Sequence, residues 1–168
     1  MQVASVVETK KGDIYIADSQ ACVIRKITKS TDPIITTIAG IPDECDGTGD
    51  GGPAIDAKLA DPSGLYFDES SGSLYISETQ NHRIRKIDSE GKISTVAGNG
   101  VAGFSGDDGL ATEASLSYPY AVTGNDKGEL FILDYGNRRV RKVGTDKKIS
   151  TVVGTGEEGE HVEGEEAT

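Results

Sequence analysis

The chain has 168 residues, with 28 acidic residues against 17 basic ones and a formal net charge of −11 at pH 7. This balance argues against a nucleic-acid partner, because affinity for phosphate backbones depends largely on lysine and arginine displacing counterions. No apolar run approaches the roughly 18 residues of a membrane span, so we expect no membrane partner either. Hydrophobic residues make up 35% of the chain and are too regularly placed for a disordered protein.

One sequence motif occurs three times. It reads IYIADSQACVIRKI at 14–27, LYISETQNHRIRKI at 74–87 and LFILDYGNRRVRKV at 130–143, so successive copies begin 60 and then 56 residues apart. Repeats of this length are typical of solenoids and propellers. The chain is therefore predicted to be a repeat protein, built of similar units.

Each copy contains four strand-length runs separated by turn residues, the pattern of an antiparallel meander. The predicted strands are 2–8, 12–18, 22–28 and 33–40 in the first copy, 62–68, 73–78, 82–88 and 92–98 in the second, and 119–124, 128–134, 138–144 and 147–154 in the third. The sequence thus predicts twelve strands in three groups of four.

The third strand of each group carries apolar residues on both of its faces. Ile84 and Ile87 are three residues apart, and this spacing crosses the strand period of two, so their side chains point to opposite faces. A four-stranded sheet that needs cover on both faces, and that recurs along the chain, predicts blades stacked around an axis. We expect an all-β fold, a β-propeller with four-stranded antiparallel blades.

Two sequence segments, each with a counterpart in the following repeat, show a family resemblance. GDGGPAIDAKLADPSGLYF and LYISETQNHRIRKI, with their counterparts TVAGNGVAGFSGDDGLATEASLSYPYAV and GELFILDYGNRRVRKV, resemble the repeats of the NHL family of β-propellers over essentially the whole chain. The resemblance implies a closed ring of about six blades, whereas this chain has three. Either the chain is a segment of a longer propeller, which we favour, or two copies form a homodimer that completes the ring.

The predicted organisation alternates blades with connections. Blades occupy 1–40, 62–98 and 119–154, connections occupy 41–61 and 99–118, and an acidic tail at 155–168 begins a further connection. Pro53 precedes alanines at helical spacing, which predicts a short helix in the first connection and an equivalent one in the second. Leu59 and Leu116 are expected to hold the connections against a blade edge.

In a four-stranded meander, these connections emerge at the same end as the turns between second and third strands, at 19–22, 79–82 and 135–138. Elaborated loops are where propellers usually bind, so a protein or small-ligand partner is expected at this end. The candidate partner-binding residues are Gln20, Gln80, His82, Phe104, Tyr135 and Arg138.

Motifs for metals and cofactors are weak. The run DGTGDGGPAIDA at 46–57 resembles a calcium loop, but Ala57 replaces the bidentate glutamate, which leaves Asp46 and Asp50 as weak metal candidates.

GNGVAG at 98–103 lacks the βαβ context of a dinucleotide site, and we interpret it as a turn. His82 and His161 are the only histidines, too few for a three-histidine zinc site. No cofactor is expected.

The chain has two cysteines, Cys22 and Cys45, which either form a disulfide with each other or are both free thiols.

An acidic residue closes each second strand, Asp18, Glu78 and Asp134, and an arginine recurs in each third strand, Arg25, Arg85 and Arg141. A hairpin with a four-residue turn would set Glu78 against Arg83 and Asp134 against Arg139. We interpret the recurring acids and arginines as structural ion pairs and turn caps, of which exposed pairs would contribute only about 0.2–1 kcal/mol.

The resemblance implies a non-catalytic scaffold that presents loops on one face to partners. The alternative is half of an enzymatic propeller, a lyase or hydrolase, whose site would lie in the central channel of the full ring. RNA binding, known for some family members, is disfavoured by the acidic charge.

Overall fold

The computed structural model describes residues 2–158, which form an all-β structure. The twelve strands are β1 (Val3–Glu8), β2 (Ile14–Asp18), β3 (Val23–Ile27), β4 (Ile35–Ala39), β5 (Pro62–Asp68), β6 (Ser73–Glu78), β7 (Arg83–Ile87), β8 (Ile93–Ala97), β9 (Pro119–Gly124), β10 (Leu130–Asp134), β11 (Arg139–Val143) and β12 (Ile149–Val153). They make three four-stranded antiparallel sheets, β1–β4, β5–β8 and β9–β12, here called blades 1, 2 and 3. The predicted fold class, a propeller segment of three blades, is confirmed. His161 and the rest of the acidic tail from 159 onward lie outside the described residues.

Local sequence explains why each blade folds as a meander. The strands are rich in β-branched and aromatic residues, which fit a pleated, half-buried surface. The turn between the first and second strands contains a glycine with positive φ, Gly12 in blade 1 and Gly72 in blade 2, at 86° and 68°. Glycine adopts this left-handed conformation at little cost.

The blades pack face to face. Ile24 of blade 1 shares a buried cluster with Ile87 and Ile93 of blade 2, whereas Ile84 of blade 2 is buried with Ile149 of blade 3. Ile84 and Ile87 are therefore buried on opposite faces of one blade, as their spacing predicts. The first strands of neighbouring blades contact each other, β1 with β5 and β5 with β9, which places them on the inner side of the stack.

Each connection follows the outer edge of the next blade before it reaches the inner strand. The Gly51 N–H donates to the Ile93 carbonyl at 2.8 Å, and the Ile93 N–H donates to the Gly52 carbonyl at 3.0 Å. The second connection repeats this pairing between Asp108 and Ile149. An edge strand otherwise presents unpaired backbone groups, so the connections cover β8 and β12.

The two connections differ from the predicted helices. In the first, Pro53 precedes a single 3₁₀ turn at Ala54–Asp56, which ends because the backbone of Ala57 is extended, at φ −77° and ψ 159°. In the second, Leu110 takes the equivalent position and only turns follow, so the helix expected there was wrong. The expected burial of Leu59 and Leu116 is confirmed, since both are fully buried.

A disulfide joins Cys22, in the β2–β3 turn, to Cys45 in the first connection, with Cα atoms 5.5 Å apart. This resolves the alternative that the sequence left open. Within residues 2–158 the helices are 3₁₀ turns of three residues, and none is long and apolar enough to cross a membrane.

Candidate partner-binding face

The turns between second and third strands lie against the connections at one end of the blades. The Asn81 amide donates to the Gly47 carbonyl at 3.1 Å, and the Asn137 amide donates to the Gly103 carbonyl at 2.7 Å. We call this end, formed by the turns at 19–22, 79–82 and 135–138 and by both connections, the loop face. The grouping of loops that the meander topology predicts is therefore present.

One position in each of these turns attaches the turn to the connection that follows its blade. Cys22, His82 and Arg138 occupy it, all with left-handed backbone at φ of 55°, 51° and 52°. Cys22 is bonded to Cys45, His82 accepts a hydrogen bond from the Tyr118 N–H, and Arg138 pairs with Glu158. Three different chemistries thus make the same attachment.

His82 links blade 2 to the second connection through its ring. Its Nδ1 accepts the Tyr118 N–H at 3.1 Å, and the two rings meet edge to face with centroids 4.8 Å apart. Partial burial lowers the pKa of His82, while the charge of Asp134 opposes that shift to a smaller extent. A neutral imidazole is the form that can accept this hydrogen bond. The sequence alone gave no sign of this contact, because Tyr118 lies 36 residues further along the chain.

Three exposed tyrosines lie at or next to the loop face: Tyr118 and Tyr135 within it, and Tyr120 at the start of β9. The exposed fractions of Tyr118, Tyr120 and Tyr135 are 49%, 53% and 66%, and the Tyr120 and Tyr135 ring centroids are 6.3 Å apart. We call His82 and these three tyrosines the aromatic patch. Only His82 and Tyr135 were predicted; the run SYPY at 117–120 was the available signal for the other two.

The backbone beneath Tyr120 is fixed by blade 2. The Ser63 hydroxyl donates to the Tyr120 carbonyl at 3.0 Å, and the Thr79 hydroxyl donates to the Pro119 carbonyl at 3.1 Å. These two bonds cross the seam between blades 2 and 3. The exposed rings are therefore carried on a rigid, hydrogen-bonded segment.

The other predicted partner-binding residues are spread over the loop face. Gln20 and Gln80 are exposed on their turns. Phe104 is 45% exposed, but its ring packs under the guanidinium groups of Arg139 and Arg141 at 3.8 and 4.8 Å. The Arg138 side chain is engaged by Glu158. Partner binding by these residues stays a prediction.

The recurring acids and arginines form structural ion pairs, as predicted, and in blades 2 and 3 these pairs are buried. In blade 2, Arg85 lies between Glu78 at 3.1 Å and Asp50 at 2.8 Å, and both Arg85 and Glu78 are fully buried. Glu78 does face Arg83 in the strand register, but the Arg83 guanidinium instead donates to the Asn99 carbonyl. The predicted register of Glu78 against Arg83 is therefore confirmed, whereas an ion pair between these two residues is wrong.

Blade 3 repeats this arrangement. Arg141 lies between Asp134 at 3.3 Å and Asp107 at 2.7 Å, in place of the predicted pair between Asp134 and Arg139. In both blades the preceding connection supplies the second carboxylate and encloses the guanidinium. Burial raises the pKa of the Asp134 carboxyl, against the lowering influence of the Asn137 amide and of Arg141.

The two weak metal candidates are engaged by basic side chains. Asp50 contacts Arg85 through one oxygen and accepts the Thr95 hydroxyl at 2.6 Å through the other. Asp46 accepts the Thr48 hydroxyl at 2.7 Å and pairs with Lys58 at 3.1 Å. Over residues 2–158, no group of three or more histidine, cysteine, aspartate or glutamate side chains is arranged to hold a metal ion.

Comparison with known proteins places the repeat. A model of the NHL repeat matches residues 59–87. The chain is 32% identical to SUPPRESSOR OF QUENCHING 1 of Arabidopsis thaliana, over 83% of this chain and 14% of that protein. It is 37% identical to human Teneurin-4 over 56% of this chain and 4% of that protein, and 26% identical to human NHL repeat-containing protein 2 over 83% and 20%. The chain thus spans a fifth or less of the length of these relatives.

Solved structures share the architecture. An auxiliary nutrient binding protein from Bacteroides thetaiotaomicron superposes with a TM-score of 0.69 at 22% identity, covering 87% of this chain and 36% of that one. A nidogen/laminin complex gives 0.62 at 14% identity, covering 90% and 48%. Virginiamycin B lyase from Staphylococcus aureus gives 0.56 at 20% identity, covering 89% and 40%. At these identities the likeness concerns the fold alone.

Proposed function

This chain belongs to the NHL-repeat family of β-propellers, and from that premise we propose that it is a non-catalytic binding module whose loop face engages a protein partner. The blades serve as a rigid support, and the aromatic patch supplies the contact.

The observation that carries this proposal is the exposure of Tyr118, Tyr120 and Tyr135, with the Tyr118 ring against His82 and the Tyr120 ring 6.3 Å from that of Tyr135. Tyrosine is enriched at protein interfaces because its ring offers a large apolar area with few rotatable bonds and its hydroxyl forms hydrogen bonds. A bound partner would bury these rings and so account for their exposure on the free chain. Support also comes from the nidogen/laminin complex, a neighbour in fold whose structure includes a protein partner.

Charge indicates the chemistry of the partner. With a net charge of −11, the chain attracts basic surfaces over distance and repels acidic ones. Lysine and arginine side chains can also stack on tyrosine rings. We therefore propose a partner segment that combines basic residues with apolar or aromatic ones.

The catalytic alternative has less support. The similarity to virginiamycin B lyase concerns architecture, and the one described histidine, His82, makes an attachment between turn and connection. No arrangement of side chains in residues 2–158 singles out a reaction.

Selection of random peptides displayed on phage, with the folded chain immobilised, tests the proposal. Enriched peptides are expected to carry basic and aromatic residues and to bind the double variant Y120A/Y135A at least tenfold more weakly, since central aromatic contacts are typically worth about 2 kcal/mol.

The matched control is the double variant V6A/I34A. Val6 and Ile34 are 62% and 66% exposed and lie outside the loop face, so peptides selected on the native chain should bind this variant with unchanged affinity. Equal losses in both variants, or peptides that are indifferent to Y120A/Y135A, would refute the aromatic patch as the binding surface.

A further inference from the structure

A second site candidate lies away from the loop face, in the seam between blades 2 and 3. A cavity of about 630 Å³ opens there toward the opposite end of the blades. Its floor is apolar and contains Tyr75, Val96, Leu130 and Val143, and its lining includes two basic residues, Lys86 and Lys147. Ligand sites in proteins usually occupy about 300–1,000 Å³ and combine an apolar lining with a few polar groups.

Lys86 differs from its equivalents in the other two blades. Lys26 pairs with Asp13 at 2.8 Å, and Lys142 pairs with Glu129 at 3.3 Å. At the position of those two acids, blade 2 has Ser73. Among residues 2–158, Lys86 consequently forms no ion pair, although it occupies the same place in its strand. The repeat keeps the lysine and omits its counterion only where the cavity opens.

Lys147 is unusual in its backbone. It has a φ of 65° in the β11–β12 turn, where the equivalent turn of blade 2 has Gly91 at 82°. A left-handed conformation favours glycine, which has no side chain, over lysine. This turn nevertheless carries a charged side chain at that position. Lys147 also lacks an ion-pair partner within the part of the chain that the structure describes.

Two acids near the cavity, Asp88 and Asp68, are already hydrogen-bonded elsewhere. Asp88 is close enough to Lys86 for the lysine charge to help lower its pKa, but backbone hydrogen bonds within its own turn contribute first. Its carboxylate accepts the N–H groups of Glu90 and Lys92 at 3.0 and 2.9 Å. Asp68, whose charge acts on Tyr75, accepts the hydroxyls of Ser70 and Ser71. Neither carboxylate closes the pair that Lys86 leaves open.

We propose that this cavity binds a small amphipathic carboxylate, with its apolar or aromatic body on the floor and its carboxylate held by Lys86 and Lys147. The two ammonium groups supply the complementary charge in a chain that is otherwise strongly acidic. The site is separate from the aromatic patch, so this proposal does not depend on the protein-binding function.

Titration followed by amide-resolved NMR tests the site with three carboxylates: phenylbutyrate, indole propionate and hexanoate. At least one should bind saturably, with Kd on the order of 1 mM or below, and move the amide signals of Val96, Leu130 and Thr145. Phenylbutanol, the neutral analogue of the first probe, should bind about tenfold more weakly, because it lacks the charge-assisted contact.

Matched lysine variants decide the role of charge. K86Q and K147Q are expected to weaken binding of the same probe by about fivefold to tenfold, whereas K142Q, the equivalent lysine of blade 3, should leave it unchanged. All four proteins should first show the same folded amide spectrum away from the substitution. Absence of saturable binding by all three probes, equal effects of K86Q and K142Q, or shifts confined to the loop face would overturn the proposal.

Discussion

Blades 1 and 2 carry nearly the same sequence but differ in what covers it. The side chain of Arg25 in blade 1 is 29% exposed, whereas that of Arg85 in blade 2 is fully buried. Likewise Ile35 is 48% exposed and its equivalent Ile93 is completely buried. The strands themselves are alike, so these differences come from the neighbours.

Two neighbours account for the contrast. The connection at 41–61 brings Asp50 and the Gly47 carbonyl over Arg85, and no corresponding segment covers Arg25 in the described structure. Blade 1 supplies Ile24 and Ala39 to the cluster that buries Ile93, while the opposite face of blade 1 has no blade against it. In a repeat protein, identical positions therefore contribute differently to stability according to the units beside them.

The largest expected difference concerns the buried carboxylates. Glu78→Gln should lower the free energy of unfolding by about 3–5 kcal/mol, because it removes a charge from a fully buried pair and leaves Arg85 undercompensated. Asp18→Asn, in the half-open pair of blade 1, should cost only about 1 kcal/mol. Denaturation in urea measures both. Equal losses would show that the connection does not set the strength of the pair.

Core truncation sharpens the same comparison with one residue type. Ile93→Ala should cost about 2–5 kcal/mol, because it opens a cavity between packed blades. Ile35→Ala, at the matching position, should cost about 1 kcal/mol or less, since the side chain already contacts solvent. Both values follow from chemical denaturation at one protein concentration.

A second copy of the chain would change the result for Ile35. We propose, as one alternative, that two copies meet through the open faces of blades 1 and 3, where Ile35 and Val153 are exposed. Light scattering would then give a mass near twice 17.6 kDa, and the Ile35→Lys variant would have the mass of one chain. A monomer at all concentrations would rule this assembly out.

The attachments between turns and connections should rank by their chemistry. Replacing both Cys22 and Cys45 with serine should cost about 3 kcal/mol, because the disulfide closes a loop with a sequence separation of 23 residues in the unfolded chain. His82→Ala should cost about 1 kcal/mol, the typical worth of one hydrogen bond. Thermal unfolding with and without reductant is the measurement. A larger loss from His82→Ala would reverse the ranking.

The smallest expected effect is a pH dependence from His82. Burial holds its pKa below the usual value of 6.5, so the unfolded chain binds a proton at higher pH than the folded chain does. Its contribution is complete above pH 6.5 and is lost as the pH falls toward the folded pKa. The imidazole is only partly buried, so this loss should stay under about 1 kcal/mol. His82→Gln should flatten that part of the stability curve; an unchanged curve would contradict the assignment.

Much of this architecture could be predicted, because the information is local. Alternation within 14–27, 74–87 and 130–143 indicated the strands, and the three-residue spacing of Ile84 and Ile87 indicated two buried faces. The register of Glu78 against Arg83 followed from the turn length. The predicted site was less complete, since Tyr118 and Tyr120 come next to His82 and Tyr135 only when two blades and a connection meet.

The sequence by itself determined the repeat, the twelve strands and the loop face, since each follows from periodicity and turn chemistry over a few residues. Tertiary structure alone decided that Arg85 is buried between two carboxylates, that Cys22 is bonded to Cys45, and that Lys86 borders a cavity without a counterion. Side-chain partners depend on distances between segments far apart in the chain. Those distances are fixed only when the blades stack.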